Sequence, residues 1–126
     1  MPNDVVRVLR LNDLLRISSW QQKLPWKPFQ EGVEIYRLYG DGENGPTAAL
    51  LRFQAGARVP LHEHMGYEHI LVLDGSQVDE NCKSETGMLI ISPPGTSHSV
   101  LSEGGCIVLA IYERPVKPVA PAQAIA

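Results

Sequence analysis

Turn punctuation limits the fold of this chain more than any other feature. From Val33 onward, glycines, prolines and Asp-Gly or Asn-Gly pairs recur so often that helices of ten or more residues have no room. Between the breaks lie short apolar runs rich in β-branched residues: VEIYRLY (33–39), TAALLRF (47–53), HILVL (69–73), MLII (88–91) and CIVLAIY (106–112). GDGENGP (40–46) joins the first two with dipeptides that favour positive φ. Many short strands with such turns predict an all-β sandwich or barrel. Residues 70–73 and 107–111 are apolar at consecutive positions, so both faces of those strands need cover. One face meets the interior and the other fits a second chain, which points to a homodimer.

The ends read differently. LNDLLRISSWQQK (11–23) has room for one short amphipathic helix at most, and Pro25 and Pro28 stop it. Trp20 and Trp26 are expected to cover an open barrel end or a dimer seam. The chain divides into an extension (1–25), a barrel (26–115) and a Pro/Ala-rich tail (116–126) that reads as poorly ordered. A length of 126 residues fits one domain with a real core. A net charge of −3 lacks the basic surplus of nucleic-acid binders. No apolar stretch approaches the roughly 20 residues of a membrane span, and the charged amino terminus is no secretory signal. Two cysteines make no disulfide framework. Cys106 is expected to pack in the core and Cys82 to be exposed, so the cytoplasm is the expected compartment.

Three of the four histidines fall within PLHEHMGYEHILVLDG (60–75). A metal site, a proton-transfer site and a solvated polar loop all fit such a cluster. Side chains alternate along a strand, so His62 and His64 share a face and Glu63 turns away. A reversal at Met65-Gly66-Tyr67 would bring Glu68 back over the two imidazoles. Glu68, Ile70 and Val72 then face inward and His69 outward, a surface or interface residue and not a ligand. In GMLIISPPGTSHSV (87–100), Pro93-Pro94-Gly95 predicts a turn with Gly95 at positive φ, after which His98 faces the same interior. His62, His64, Glu68 and His98 would converge as a mixed N/O set suited to Zn, Fe, Mn or Ni, leaving two positions open on a six-coordinate ion. Buried without partners these groups would be costly, so they are either wet or metal-bound. Met65 and Tyr67 either line the entrance or pack. Arg52 and Arg58 either recognise an anionic substrate or form surface salt bridges. Glu85 and Glu113 have no special claim.

These spacings resemble a known family. Gly56, five residues, His62-Glu-His64, three residues, Glu68, six residues, Gly75 resembles the first cupin motif at every fixed position. Gly87, five residues, Pro93-x-Gly95, two residues, His98 resembles the second, with Ser102 at its usual final Asn and 11 residues between the motifs. Trp26, EGVE (31–34), GSQVDE (75–80) and EGGC (103–106) look like the cupin-like domain of ChrR-type anti-sigma factors. The resemblance covers roughly residues 26–113. It implies a double-stranded β-helix, the jelly-roll barrel of cupins, with His62, His64, Glu68 and His98 as ligands of a divalent transition metal. His69 stands where ChrR-type sequences often carry a second carboxylate. Those factors also grip the sigma factor with a separate amino-terminal helical module, and about 25 residues without cysteine precede the barrel here. Direct sigma-factor binding is therefore not expected.

The resemblance implies two functions. One is a metal-dependent small-molecule enzyme, dioxygenase-like on a diketone, catechol or hydroxyketone. The other is a non-catalytic ChrR-like cupin that senses a metal or ligand and acts through a protein partner. A structural or vestigial cupin ranks below both, because the ligand set is intact.

Overall fold

The computed structural model describes residues 6–119. Two 3-10 turns, Leu14–Ser19 and Gln21–Lys23, precede the strands. Among the described residues ten strands follow: β1 (Lys27–Gln30), β2 (Val33–Tyr39), β3 (Thr47–Phe53), β4 (Ala57–Glu63), β5 (Glu68–Val78), β6 (Lys83–Glu85), β7 (Leu89–Ser92), β8 (Ser97–Ser102), β9 (Cys106–Tyr112) and β10 (Lys117–Pro118). They pair antiparallel in the order β1-β2-β3-β9-β5-β8-β4-β10, with β6 and β7 also on β5. The expected apolar runs are all strands, and the curled sheet has the jelly-roll architecture. No helix among the described residues is long and apolar enough to cross a membrane.

β5 ties the two halves of the barrel together. Its first residues pair with β9 and β7, and its last with β6 and β8. The strand bends where its register against β9 shifts between Val72 and Asp74. Gly75 follows at φ 75°, and a side chain there would overlap the Gly105 carbonyl.

Alternation sorts the apolar residues into two layers. Val33, Phe53, Ile70, Val72, Val100 and Val108 fill the barrel interior. Leu50, Leu73 and Ile107 point outward yet are buried, beneath Ile17 and flanked by Leu14, Trp20, Leu24 and Trp26. Burying one such side chain contributes about 1.5–3 kcal/mol. The second face of β5 and β9 is thus covered by the same chain's own amino-terminal segment. The double-sided apolar pattern that pointed to a homodimer is met within one chain. Trp20 and Trp26 cover this outer sheet face and not a barrel end, and their indole N–H groups donate to the carbonyls of Asp13 and Gln21.

Two expectations at the ends change. Asp13 sits in the left-handed region at φ 60° and Arg16 departs from helical geometry, so residues 14–23 form two 3-10 turns instead of one helix. The tail begins as structure: Lys117 and Pro118 pair with Glu63 and His62, and Val119 N–H donates to Leu61 O. The rest of the expected disordered tail, 120–126, lies outside the described residues.

Candidate metal centre

Two crossovers build the site. Residues 64–67 carry the chain from β4 to β5, and residues 93–96 carry it from β7 to β8. Neither is a hairpin, because β4 pairs with β8 and β10 while β7 pairs with β5. The two segments hold each other: His64 N–H donates to Thr96 O at 2.8 Å, and Gly95 N–H donates to His64 O at 2.9 Å. Gly95 adopts φ 92°, as the Pro-Pro-Gly turn requires. His64, one residue past the end of β4, is therefore fixed by the opposite turn. His62 and His98 are direct partners in the β4–β8 register. Glu68 opens β5 on its inward face.

The four side chains meet. One donor atom from each of His62, His64, Glu68 and His98 lies within 4.8 Å of the others, and all four residues are buried. The imidazole centroids stand 4.7 to 5.2 Å apart, edge to face. Each Nδ1 has an oxygen partner on its outer side. His62 Nδ1 meets Pro60 O at 2.8 Å, His64 Nδ1 meets Thr96 O at 3.1 Å and Thr96 Oγ1 at 3.0 Å, and His98 Nδ1 meets Asp79 Oδ2 at 3.2 Å. An acceptor at Nδ1 puts the proton there and turns the Nε2 lone pair inward. His64 Nε2 also lies 2.9 Å from Glu68 Oε1.

This donor set fits a cation. Donors about 2.1 Å from a transition metal stand about 3–4 Å from one another, close to the observed clustering. Three imidazoles and one carboxylate suit Zn, Fe, Mn or Ni and leave further positions free on an octahedral ion. The metal-free electrostatics point the same way. Burial pulls the His62 imidazole below its usual 6.5, while the hydrogen bond to Glu68 raises His64 above it. Protons and cations compete for the same inward nitrogens.

A cavity of about 220 Å³ opens from His62, Glu68 and His98 into the barrel. Leu51, Ile70, Val100 and Val108 line it, with Gln77 inside and Arg37 also on its wall. Met65 and Tyr67 are exposed and do not line it. His69 points away from the cluster on the outer face, opposite Ile91 and Ile111. Arg52 is engaged elsewhere: it pairs with Glu34 at 2.6 Å and stacks 4.6 Å over the Trp26 ring. Arg58 is exposed, and its carbonyl accepts from Gln30 Nε2. Cys82 is exposed and Cys106 buried, as expected, and burial pushes the Cys106 thiol up. Sequence reasoning missed Asp79 as the partner of His98. Its only signal was the acidic pair after β5, in GSQVDE, whose register against β8 cannot be read from spacing.

Comparison with known proteins agrees with this geometry. The family model described as the ChrR cupin-like domain matches residues 16–116. The anti-sigma-E factor ChrR of Cereibacter sphaeroides is 34% identical over 94 residues, 73% of this chain and 43% of that protein. The chain thus spans less than half the length of this relative. Among solved structures, Rhodobacter sphaeroides SigE in complex with the anti-sigma ChrR matches with TM-score 0.65 and 24% identity, over 89% of this chain and 72% of that one. An acetylacetone dioxygenase from Acinetobacter johnsonii matches with TM-score 0.73 and 13% identity, over 94% and 81%. These findings overturn the expectation that a sigma factor is not a direct partner. That expectation rested on a missing helical module, whereas the relative is an anti-sigma factor and its namesake was solved bound to SigE. A module's absence from one stretch of sequence says nothing about what the barrel surface can bind.

Proposed function

The chain belongs to the ChrR cupin-like domain family, and on that footing we propose that it is a metal-dependent small-molecule enzyme of the dioxygenase type. One observation carries this reading: three imidazoles with their Nδ1 atoms held from outside gather with one carboxylate beside a largely apolar cavity. His62, His64, Glu68 and His98 would hold the ion. A divalent transition metal there supplies Lewis acidity, open coordination positions and, as iron, the capacity to activate dioxygen.

The protein's own groups do the rest. Glu68 offsets part of the cation's charge. Leu51, Ile70, Val100 and Val108 give the cavity an apolar wall, beside which electrostatic interactions are stronger than in bulk water. Gln77 is buried on the wall and offers a neutral donor and acceptor to a substrate oxygen. Arg37 favours a substrate with anionic character. At about 220 Å³ the cavity is smaller than the roughly 300–1,000 Å³ of drug-sized ligand sites, so the substrate is small. An enolised diketone, a catechol or a hydroxyketone has the size and the paired oxygens that such a site would hold.

Protein purified without added metal is expected to carry about one transition-metal ion per chain by elemental analysis. Loaded with ferrous iron, it should consume oxygen with at least one of these three substrate classes. His64→Ala should lose most of the metal and His69→Ala should keep it. Metal-loaded protein that consumes no oxygen with any of them rejects the enzyme reading.

A second reading follows from the curated relative. As a ChrR-like sensing cupin, the barrel would bind a sigma factor and change that affinity when the site fills. Binding to a sigma factor that differs between metal-loaded and metal-stripped protein, without oxygen uptake, would favour it.

A further inference from the structure

His98 differs from the other two histidines in what stands behind it. The outer nitrogens of His62 and His64 meet neutral oxygens, those of Pro60 and Thr96, whereas that of His98 meets the carboxylate of Asp79. Asp79 is itself held. Its Oδ1 accepts the backbone N–H groups of Asn81 at 2.8 Å and Cys82 at 3.0 Å, and its own N–H donates to Cys82 O at 3.0 Å. This closed turn leaves Oδ2 directed at His98. The next residue grips the same strand: Glu80 accepts the Ser99 N–H at 3.0 and 3.1 Å and the Ser99 hydroxyl. The acidic pair after β5 thus anchors β8 at the one candidate ligand that comes from the second motif.

We propose that Asp79 is the positioning residue of the metal centre, fixing the tautomer and orientation of His98 and strengthening it as a donor. This rests on the metal reading above. A carboxylate behind a ligating imidazole does two things that a carbonyl does less well. It holds the proton on Nδ1, and it places a negative charge one ring away from the cation. With Glu68 as the donor carboxylate, the two acidic groups together balance a divalent ion. Replacing Asp79 should therefore weaken binding and alter the ligand field, beyond any loosening of the turn.

Cobalt(II) is the probe, because its visible spectrum reports coordination without catalysis. Wild-type, Asp79→Ala, Asp79→Asn and Ser99→Ala proteins are titrated with cobalt(II), and the apo proteins are melted alongside. The expected result is about one ion per wild-type chain, a 10–100-fold weaker affinity for Asp79→Ala, and a changed visible spectrum. Asp79→Asn keeps the shape, but with its one oxygen still accepting from Asn81 and Cys82 it turns an NH2 group toward His98, so the charge and the acceptor behind that ring are both lost. It should fold like the wild type and still bind several-fold more weakly, and this variant decides the matter if Asp79→Ala fails to fold. Ser99→Ala, which loses the hydroxyl contact but keeps the N–H bonds to Glu80 and the carboxylate behind His98, should weaken affinity less than either Asp79 variant and keep the wild-type spectrum. Wild-type cobalt binding with an unaltered affinity and spectrum in Asp79→Asn overturns the proposal and leaves the metal site standing. Failure of the wild type itself to bind cobalt or any other divalent ion overturns the metal reading, and this proposal with it.

Discussion

Single residues decide how the site responds to pH. In the metal-free protein the Glu68 hydrogen bond raises His64 above 6.5, and burial lowers His62 below it. The signs oppose. The protonated His64–Glu68 pair adds stability that is complete below the unfolded histidine value and fades as pH rises through the raised folded value. His62 is kept neutral, so its share of stability is present above the unfolded value and falls as pH drops through the lowered folded one. Metal binding must displace the proton that His64 shares with Glu68. Zinc titrations by calorimetry near pH 6.5, in buffers of different ionisation enthalpy, should show proton release that declines as pH rises through the raised His64 value. Heats independent of the buffer at the lower pH would contradict this account. The four convergent residues were legible in the sequence because alternation and turn chemistry are local rules. Their outer partners were not, since Pro60, Thr96 and Asp79 reach the imidazoles through a register irregularity within β4, a crossover and a strand register.

At the scale of elements, the surprise lies outside the barrel. The apolar runs at 47–53, 69–73 and 106–112 were readable as strands, and two-sided burial was readable at 70–73 and 107–111. What covers the outer side was not, because the apolar side chains of residues 14–26 meet strands far away in the sequence, which no local pattern encodes. Ile17 is fully buried there against Leu50, Leu73 and Ile107. Ile17→Ala should destabilise the fold by about 2–5 kcal/mol in urea unfolding. Because the site lies on the opposite face of the sheet, metal stoichiometry should stay at the wild-type level. A loss of metal equal to the loss of stability would mean that the two faces are coupled. The short strands at 27–30, 83–85 and 117–118 were also missed. They carry Pro and charged residues and owe their conformation to a neighbouring edge, not to their own pattern.

For the whole molecule, the site couples the two halves of the barrel that β5 joins. Glu68 belongs to β5 beside β9, while His62 and His98 belong to β4 and β8. An ion held by all of them would bind the folded state and not the unfolded chain, so it adds stability by mass action. At about 100 times the dissociation constant this is roughly 2.7 kcal/mol. For a domain of this size the melting midpoint should fall by about 5–15 °C when the metal is removed with EDTA, and recover on its return. A midpoint indifferent to chelation, in protein shown to contain metal, would place the ion elsewhere. The overall barrel was legible because two spaced motifs and dense turns leave few alternatives, whereas the assembly and the partner depend on surfaces that no spacing encodes. The amino-terminal turns bear on how this molecule can be handled. A shorter piece starting at the first strand would strip the coat from Leu50, Leu73 and Ile107 and leave an oily flank in water, where copies would clump whatever the state of the metal.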